Sequence, residues 1–369
     1  MALAYTEVRK LTLDPSTHPR NRHFLTAASG LVRLGRRHYV IADDEQHLGV
    51  FDPASPGPVQ LVRLFDGDLP DSAKKRKKKK ADLECLVHLP PLPRCPGGAL
   101  LTLGSGSRPN RRRGALLGLD GEGALLGQVK VIDLAPLYEP LGRRFDEVNI
   151  EGALIFEDDL MLLQRGNKGG PNAIVRYAWP VLEQWLLGDA DEAPEPRVVR
   201  EYDLGQADGI AFGFTDCAAM PEGGGWLFSA VAEDTDNAFD DGACTGVAIG
   251  VVSAEGGLQT MLPLEPRRKV EGIEARMLQG KVVIGIVTDA DDPDEAAPPS
   301  RNRRRPRPGP ASWSASSFRT RRVPAWTSSP APSARICRRR GGRRSSSRTA
   351  PALRATSAPG RSRSRRPTG

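Results

Sequence analysis

One short motif recurs five times along this chain, and it limits the possible fold more than any other feature. Ser29-Gly30-Leu31-Val32, Glu84-Cys85-Leu86-Val87, Glu151-Gly152-Ala153-Leu154, Asp208-Gly209-Ile210-Ala211 and Glu271-Gly272-Ile273-Glu274 each open an apolar segment with a polar or acidic residue followed by a small one. The second residues of the motifs are separated by steps of 55, 67, 57 and 63 residues. A loose period of about 60 residues is long for a solenoid coil but natural for a propeller blade with elaborated loops.

The residues after each motif fill in the blade. Short, almost wholly apolar runs follow at residues 38–42, 100–103, 160–163, 226–231 and 281–287, as expected of second strands buried between neighbouring blades. A third set follows at 48–51, 115–119, 173–177 and 247–251. A fourth, alternating strand is visible at 128–134 and 197–202, as expected of an outer strand with one wet face. The pattern predicts an all-β chain, a β-propeller of about five four-stranded blades, with six as the alternative. The spare strand at residues 5–13 closes the ring as the outer strand of the last blade, because an open edge would otherwise remain. Only residues 180–187 look helical, and they sit in a connection.

Composition misleads until the chain is divided. The whole sequence carries a formal charge of +8, yet the segment 301–369 holds 20 arginines and no Lys, Asp or Glu. Residues 1–300 therefore hold 33 basic against 45 acidic groups, a net charge of −12. The expected domains are a propeller over 1–295 and a basic tail over 296–369 that is too poor in apolar residues to offset its ordering entropy and is expected to be disordered. Three readings of the tail compete: a nucleic-acid arm, a solvated extension, and a shifted reading frame in a GC-rich gene. Nucleic acid is expected as a partner only through this tail.

In a four-stranded blade, the link into the first strand and the link between the second and third strands emerge on one face. The motif residues therefore place Glu84, Glu151, Asp208 and Glu271 around the mouth of the central channel, with Ser29 in the fifth position. Carboxylates that close repel one another, so a cation, a shared proton or hydrogen bonds must offset the charge. Calcium or magnesium held by these four groups is one solution; carboxylates that simply fasten neighbouring blades are the other. On the same face, Arg108 of the 104–113 loop and Arg165, Asn167 and Lys168 of the 164–172 loop combine glycine turns with cations and amides suited to an anion. The run Lys74–Lys80 reads as a mobile solvated loop. The acidic runs 233–242 and 288–294 do not fit a calcium loop, since Ala238 and Pro293 stand at ligand positions.

Other chemistry is disfavoured. The five cysteines form no C-x-x-C pair, the five histidines no metal-binding pair, and neither a nucleophile elbow nor a phosphate loop occurs. No stretch of 18 apolar residues appears, so the expectation is a soluble, cytoplasmic protein with no membrane partner.

The openings Asp82-Leu83-Glu84-Cys85-Leu86, Asn149-Ile150-Glu151-Gly152-Ala153 and Lys269-Val270-Glu271-Gly272-Ile273 resemble the D-x-E-G-[IL] strand openings of the phytase-like and esterase-like bacterial propellers, and of uncharacterised bacterial propellers related to them. The resemblance covers residues 1–295. It implies a cation-assisted ester or phosphoester hydrolase, with carry-over limited to Glu84, Glu151 and Glu271; Cys85 departs from the motif's glycine. The alternative is a non-catalytic propeller that binds a protein or a small anionic ligand on the same face. Translation of the other two frames from about codon 296 tests the frame-shift reading of the tail. An apolar, strand-like segment in one of them is the expected result, and its absence from both removes the idea.

Overall fold

The apolar runs and their turn-rich connections assemble into five antiparallel-stranded sheets. The computed structural model describes residues 2–167, 169–234 and 242–288 and the backbone of 312–318. Residues 1–321 form one compact unit, and a second unit, 322–369, lies outside the described residues.

Each sheet begins with an inner strand: β1 (Ala28–Leu34), β2 (Leu83–Leu89), β3 (Ile150–Phe156), β4 (Ile210–Ala219) and β5 (Val270–Leu278). These pack side by side in a closed cycle, β1 on β2, β2 on β3, β3 on β4, β4 on β5 and β5 back on β1. The result is an all-β propeller. Four sheets have four strands each, so the expectation of five or six uniform four-stranded blades is corrected. The sheet that starts at β4 has six strands, because Leu3–Ala4 adds in parallel to Leu258–Glu265 and Gln206–Ala207 pairs with the start of β4.

The sheet that starts at β5 closes as the sequence pattern implies, with Thr6–Lys10 as its outer strand. The strand between Lys281–Thr288 and Thr6–Lys10 is Ser312–Phe318, on the tail side of residue 295. The remaining residues of 296–369 lie outside the described residues.

A buried apolar cluster fills each junction between consecutive sheets. Tyr39, Ile41, Leu100 and Leu117 join the first two, and Leu11, Val40, Ala42 and Val287 join the last to the first. Helix α3 (Trp179–Leu187) forms where the apolar spacing places it, and ends on Gly188 at φ +89°. Two helices were not evident in the pattern. Helix α1 (Ala73–Lys79) is the basic run expected to be a loop, and it is ordered because Arg76 and the following Lys80 are buried in ion pairs. Helix α2 (Ala135–Gly142) adds Leu137, Tyr138 and Leu141 to the core between the second and third sheets.

The small residue of the motif has a steric cause. A Cβ on Gly30 would lie 3.0 Å from the backbone nitrogen of Leu86, one on Gly152 3.0 Å from Cα of Asp216, and one on Gly272 3.1 Å from the carbonyl carbon of Gly30. The inner strands touch backbone to backbone at this level. Gly30→Val therefore forces β1 and β2 apart, and we expect a loss of about 1–3 kcal/mol, read as a lower midpoint in urea unfolding with an unchanged slope.

Candidate functional site

Every inner strand carries one extra residue at the same level of the ring. The register with the second strand slips at Ser29, Glu84, Glu151, Thr215 and Glu271, so each is a β-bulge residue. Bulges interrupt the ladder and re-aim one side chain. Here they gather Ser29, Glu84, Glu151 and Glu271 at one level of the ring, as the motif spacing implies.

Asp208 is not among them. It lies in the turn before β4 with φ +51°, its side chain is 74% exposed, and it pairs with Arg267 at 3.7 Å. β4 runs for ten residues, and the position matching the motif is Phe214-Thr215-Asp216. Thr215 fills the acidic position and donates to the carbonyl of Val270 at 2.7 Å. Asp216 fills the glycine position; its Oδ2 accepts the Ile273 N–H at 2.9 Å, and burial pushes its carboxyl well above the usual range. The absence of both the acid and the glycine hid this copy from a motif search.

The mouth holds two linked charge clusters. In the first, Arg165 donates to Glu233 at 2.8 Å and lies 3.6 Å from Glu151, while Lys269 contacts Glu271 at 3.0 Å and Glu233 at 3.7 Å. Asn149 Nδ2 donates to Glu151 at 2.6 Å. Burial raises the Glu151 carboxyl to about 7 against the pull of Arg165, and raises Glu271 against Lys269. In the second cluster, Lys80 is clasped by Asp43 and, at 2.8 Å, by Asp82, which also receives Arg111 at 2.6 Å and the Ser105 hydroxyl at 2.6 Å.

Glu84 stands apart. It is half-buried, and among the described residues it makes no hydrogen bond or ion pair. Burial, then the nearby Glu151, Asp82 and Asp43, push its carboxyl well above the usual range. One oxygen each of Asp43, Asp82 and Glu84 falls within 4.8 Å of the others. That hard-oxygen set suits calcium or magnesium, with Lys80 as the competing cation. The four carboxylates expected to share a metal are thus redistributed: Glu84 joins Asp43 and Asp82, Glu151 and Glu271 are paired to Arg165 and Lys269, and Asp208 is elsewhere.

The expected anion loops are also changed. Arg165 is buried between carboxylates, and Asn167 donates to Glu147 at 3.2 Å. Arg108 remains half-exposed, and Lys168 lies outside the described residues. Of the two acidic runs, residues 235–241 and 289–294 also lie outside them. The four cysteines described are free thiols, and among the described residues no helix is long and apolar enough to cross a membrane.

A family profile described as "Family of unknown function (DUF6929)" matches residues 24–299. No curated protein matches the chain by sequence. Solved structures similar to it include Myxococcus xanthus glutaminyl cyclase, at 9% identity over 77% of this chain and 93% of that one, TM-score 0.40. An exo-1,5-α-L-arabinanase from a bovine ruminal metagenomic library gives 10% identity over 79% and 94%, TM-score 0.39. Kuenenia stuttgartiensis hydrazine synthase gives 8% identity and TM-score 0.35; the match covers 80% of this chain but only 64% of that one.

The raised Glu151 carboxyl makes stability depend on pH. Its folded value of about 7 exceeds the ordinary 4.5, so the folded state binds the extra proton between those values, and stability falls as pH rises through that window. Chemical denaturation from pH 4.5 to 7.5 should show this decline. Glu151→Gln should make it shallower, the other raised carboxyls keeping the remainder.

Proposed function

Since the chain belongs to the DUF6929 family, whose description assigns no activity, we propose from the channel mouth itself that this is a ligand-binding propeller taking a cation against Glu84, Asp43 and Asp82. The observation that carries the reading is the state of Glu84. Each other carboxylate of the mouth has a lysine or arginine partner, whereas Glu84 is half-buried, has no such partner among the described residues, and has its carboxyl raised by burial and by its acidic neighbours. A cation arriving there offsets the burial and the repulsion that raise the carboxyl. Lys80 already neutralises Asp43 and Asp82, so binding is an exchange in which its ammonium gives way.

A second reading is the cation-assisted ester or phosphoester hydrolysis implied by the phytase-like and esterase-like strand openings. It is favoured by the same oxygen cluster, which would hold calcium or magnesium; the bound ion would supply Lewis-acid chemistry. Half-exposed Arg108 would meet the anionic part of the substrate. The free thiols suit a cytoplasmic setting, which belongs to this proposal too.

Thermal unfolding with and without Ca²⁺ or Mg²⁺ tests the binding reading. At a hundredfold excess over the dissociation constant, a bound cation adds about 2.7 kcal/mol by linkage. The melting temperature should rise in the native chain and stay unchanged in Glu84→Gln. No rise with either cation, or an equal rise in the variant, would overturn the reading. Hydrolysis adds a separate requirement: cation-dependent release of nitrophenolate from its phosphate or acetate ester, lost in Glu84→Gln.

A further inference from the structure

Beyond the bulge level, the inner strands continue and line a second cavity of about 270 Å³, separate from the charged mouth. It takes three successive residues from each inner strand. The residues nearest the bulges are Leu31, Leu86, Ala153, Cys217 and Ile273, so the inner wall is apolar. The charge lies farther along the strands. Arg33, His88 and Glu274 are its polar lining side chains.

The partners of these three groups leave a surplus positive charge. Glu274 is buried and already takes the Arg276 guanidinium, with burial raising its carboxyl against that partner. His88 Nε2 hydrogen-bonds the Gly97 carbonyl at 2.8 Å. Arg33 is half-buried, feels Glu274 only through its field, and has no hydrogen bond or ion pair among the described residues. An unpaired guanidinium beside an apolar hollow is a complementary surface for a carboxylate with a hydrocarbon tail, since its fork matches both oxygens.

We propose that this cavity binds a short-chain monocarboxylate, the tail among the Leu31, Leu86 and Ile273 side chains and the carboxylate on Arg33. The size fits such a ligand. Small-molecule sites run from about 300 to 1,000 Å³, so a cavity just below that range takes a short chain and excludes a nucleotide or a sugar oligomer. A ring of five strand edges also makes the walls rigid, which reduces the ordering cost of binding.

Isothermal titration of the full chain with hexanoate, and with hexanol as the uncharged analogue, tests the proposal. Hexanoate should bind at one saturable site. Arg33→Gln should weaken it by about tenfold or more, the loss of one charge-assisted fork, while leaving the weak response to hexanol unchanged. Ala219→Trp, at an exposed position of the lining, should block both ligands and serves if the arginine variant fails to fold. Glu84→Gln should leave hexanoate binding intact, so failure here and failure of the mouth reading are distinguishable. No saturable heat with millimolar hexanoate, or equal affinity in Arg33→Gln, would overturn the proposal.

Discussion

The constraint on which the ring depends is the backbone approach around its axis, where Gly30, Gly152 and Gly272 let neighbouring inner strands touch. Everything functional follows from that contact. Strands packed so tightly leave no room for a side chain at Gly30, Gly152 or Gly272, and the bulge one residue earlier turns the preceding side chain away from the ladder. Three carboxyls and two hydroxyls thereby reach one level. Their concentration is intrinsically unfavourable, and buried lysines and arginines offset it.

That compensation explains how the mouth is built. Arg165 and Lys269 serve two carboxylates each, and Lys80 serves two more, so removing any one of them strands buried charge. Helix α1 is part of the same arrangement. Its exposed lysines at i and i+4 repel, and its buried residue is Arg76 rather than an apolar side chain. Carboxylates recruited by the fold thus order a segment whose local sequence opposes ordering. Glu84 escapes the pairing, and for that reason it is the group through which the mouth responds to an added cation.

The two ends of the channel have opposite character. The bulge side is crowded with carboxyls balanced by internal cations, whereas the other cavity is apolar with a surplus guanidinium. Asp216 lies between the mouth and the β5 edge, replacing a glycine and capping the Ile273 N–H. Its carboxyl substitutes for a steric feature of the other strands with a hydrogen-bonded one, which is why the fourth copy keeps the fold after losing the motif.

The sequence by itself determined the strand pattern, the closure by the N-terminal strand and three of the four acidic mouth residues, because apolar alternation and the glycine contact are local or periodic constraints. Asp208 shows the limit. A matching Asp-Gly pair falls in a turn, while the true bulge at Thr215 carries neither residue type, and only cross-strand register distinguishes them. Tertiary structure alone decided the ion pairing. Lys80 and Arg165 sit in runs that read as solvated or anion-binding, and whether a cation faces water or a carboxylate depends on which chain segments the closed ring brings together. The same holds for the strand number of the β4 sheet, which Leu3–Ala4 from the N-terminal side and Gln206–Ala207 just before β4 extend, and for Glu84, whose isolation is visible only once every neighbour has found its partner.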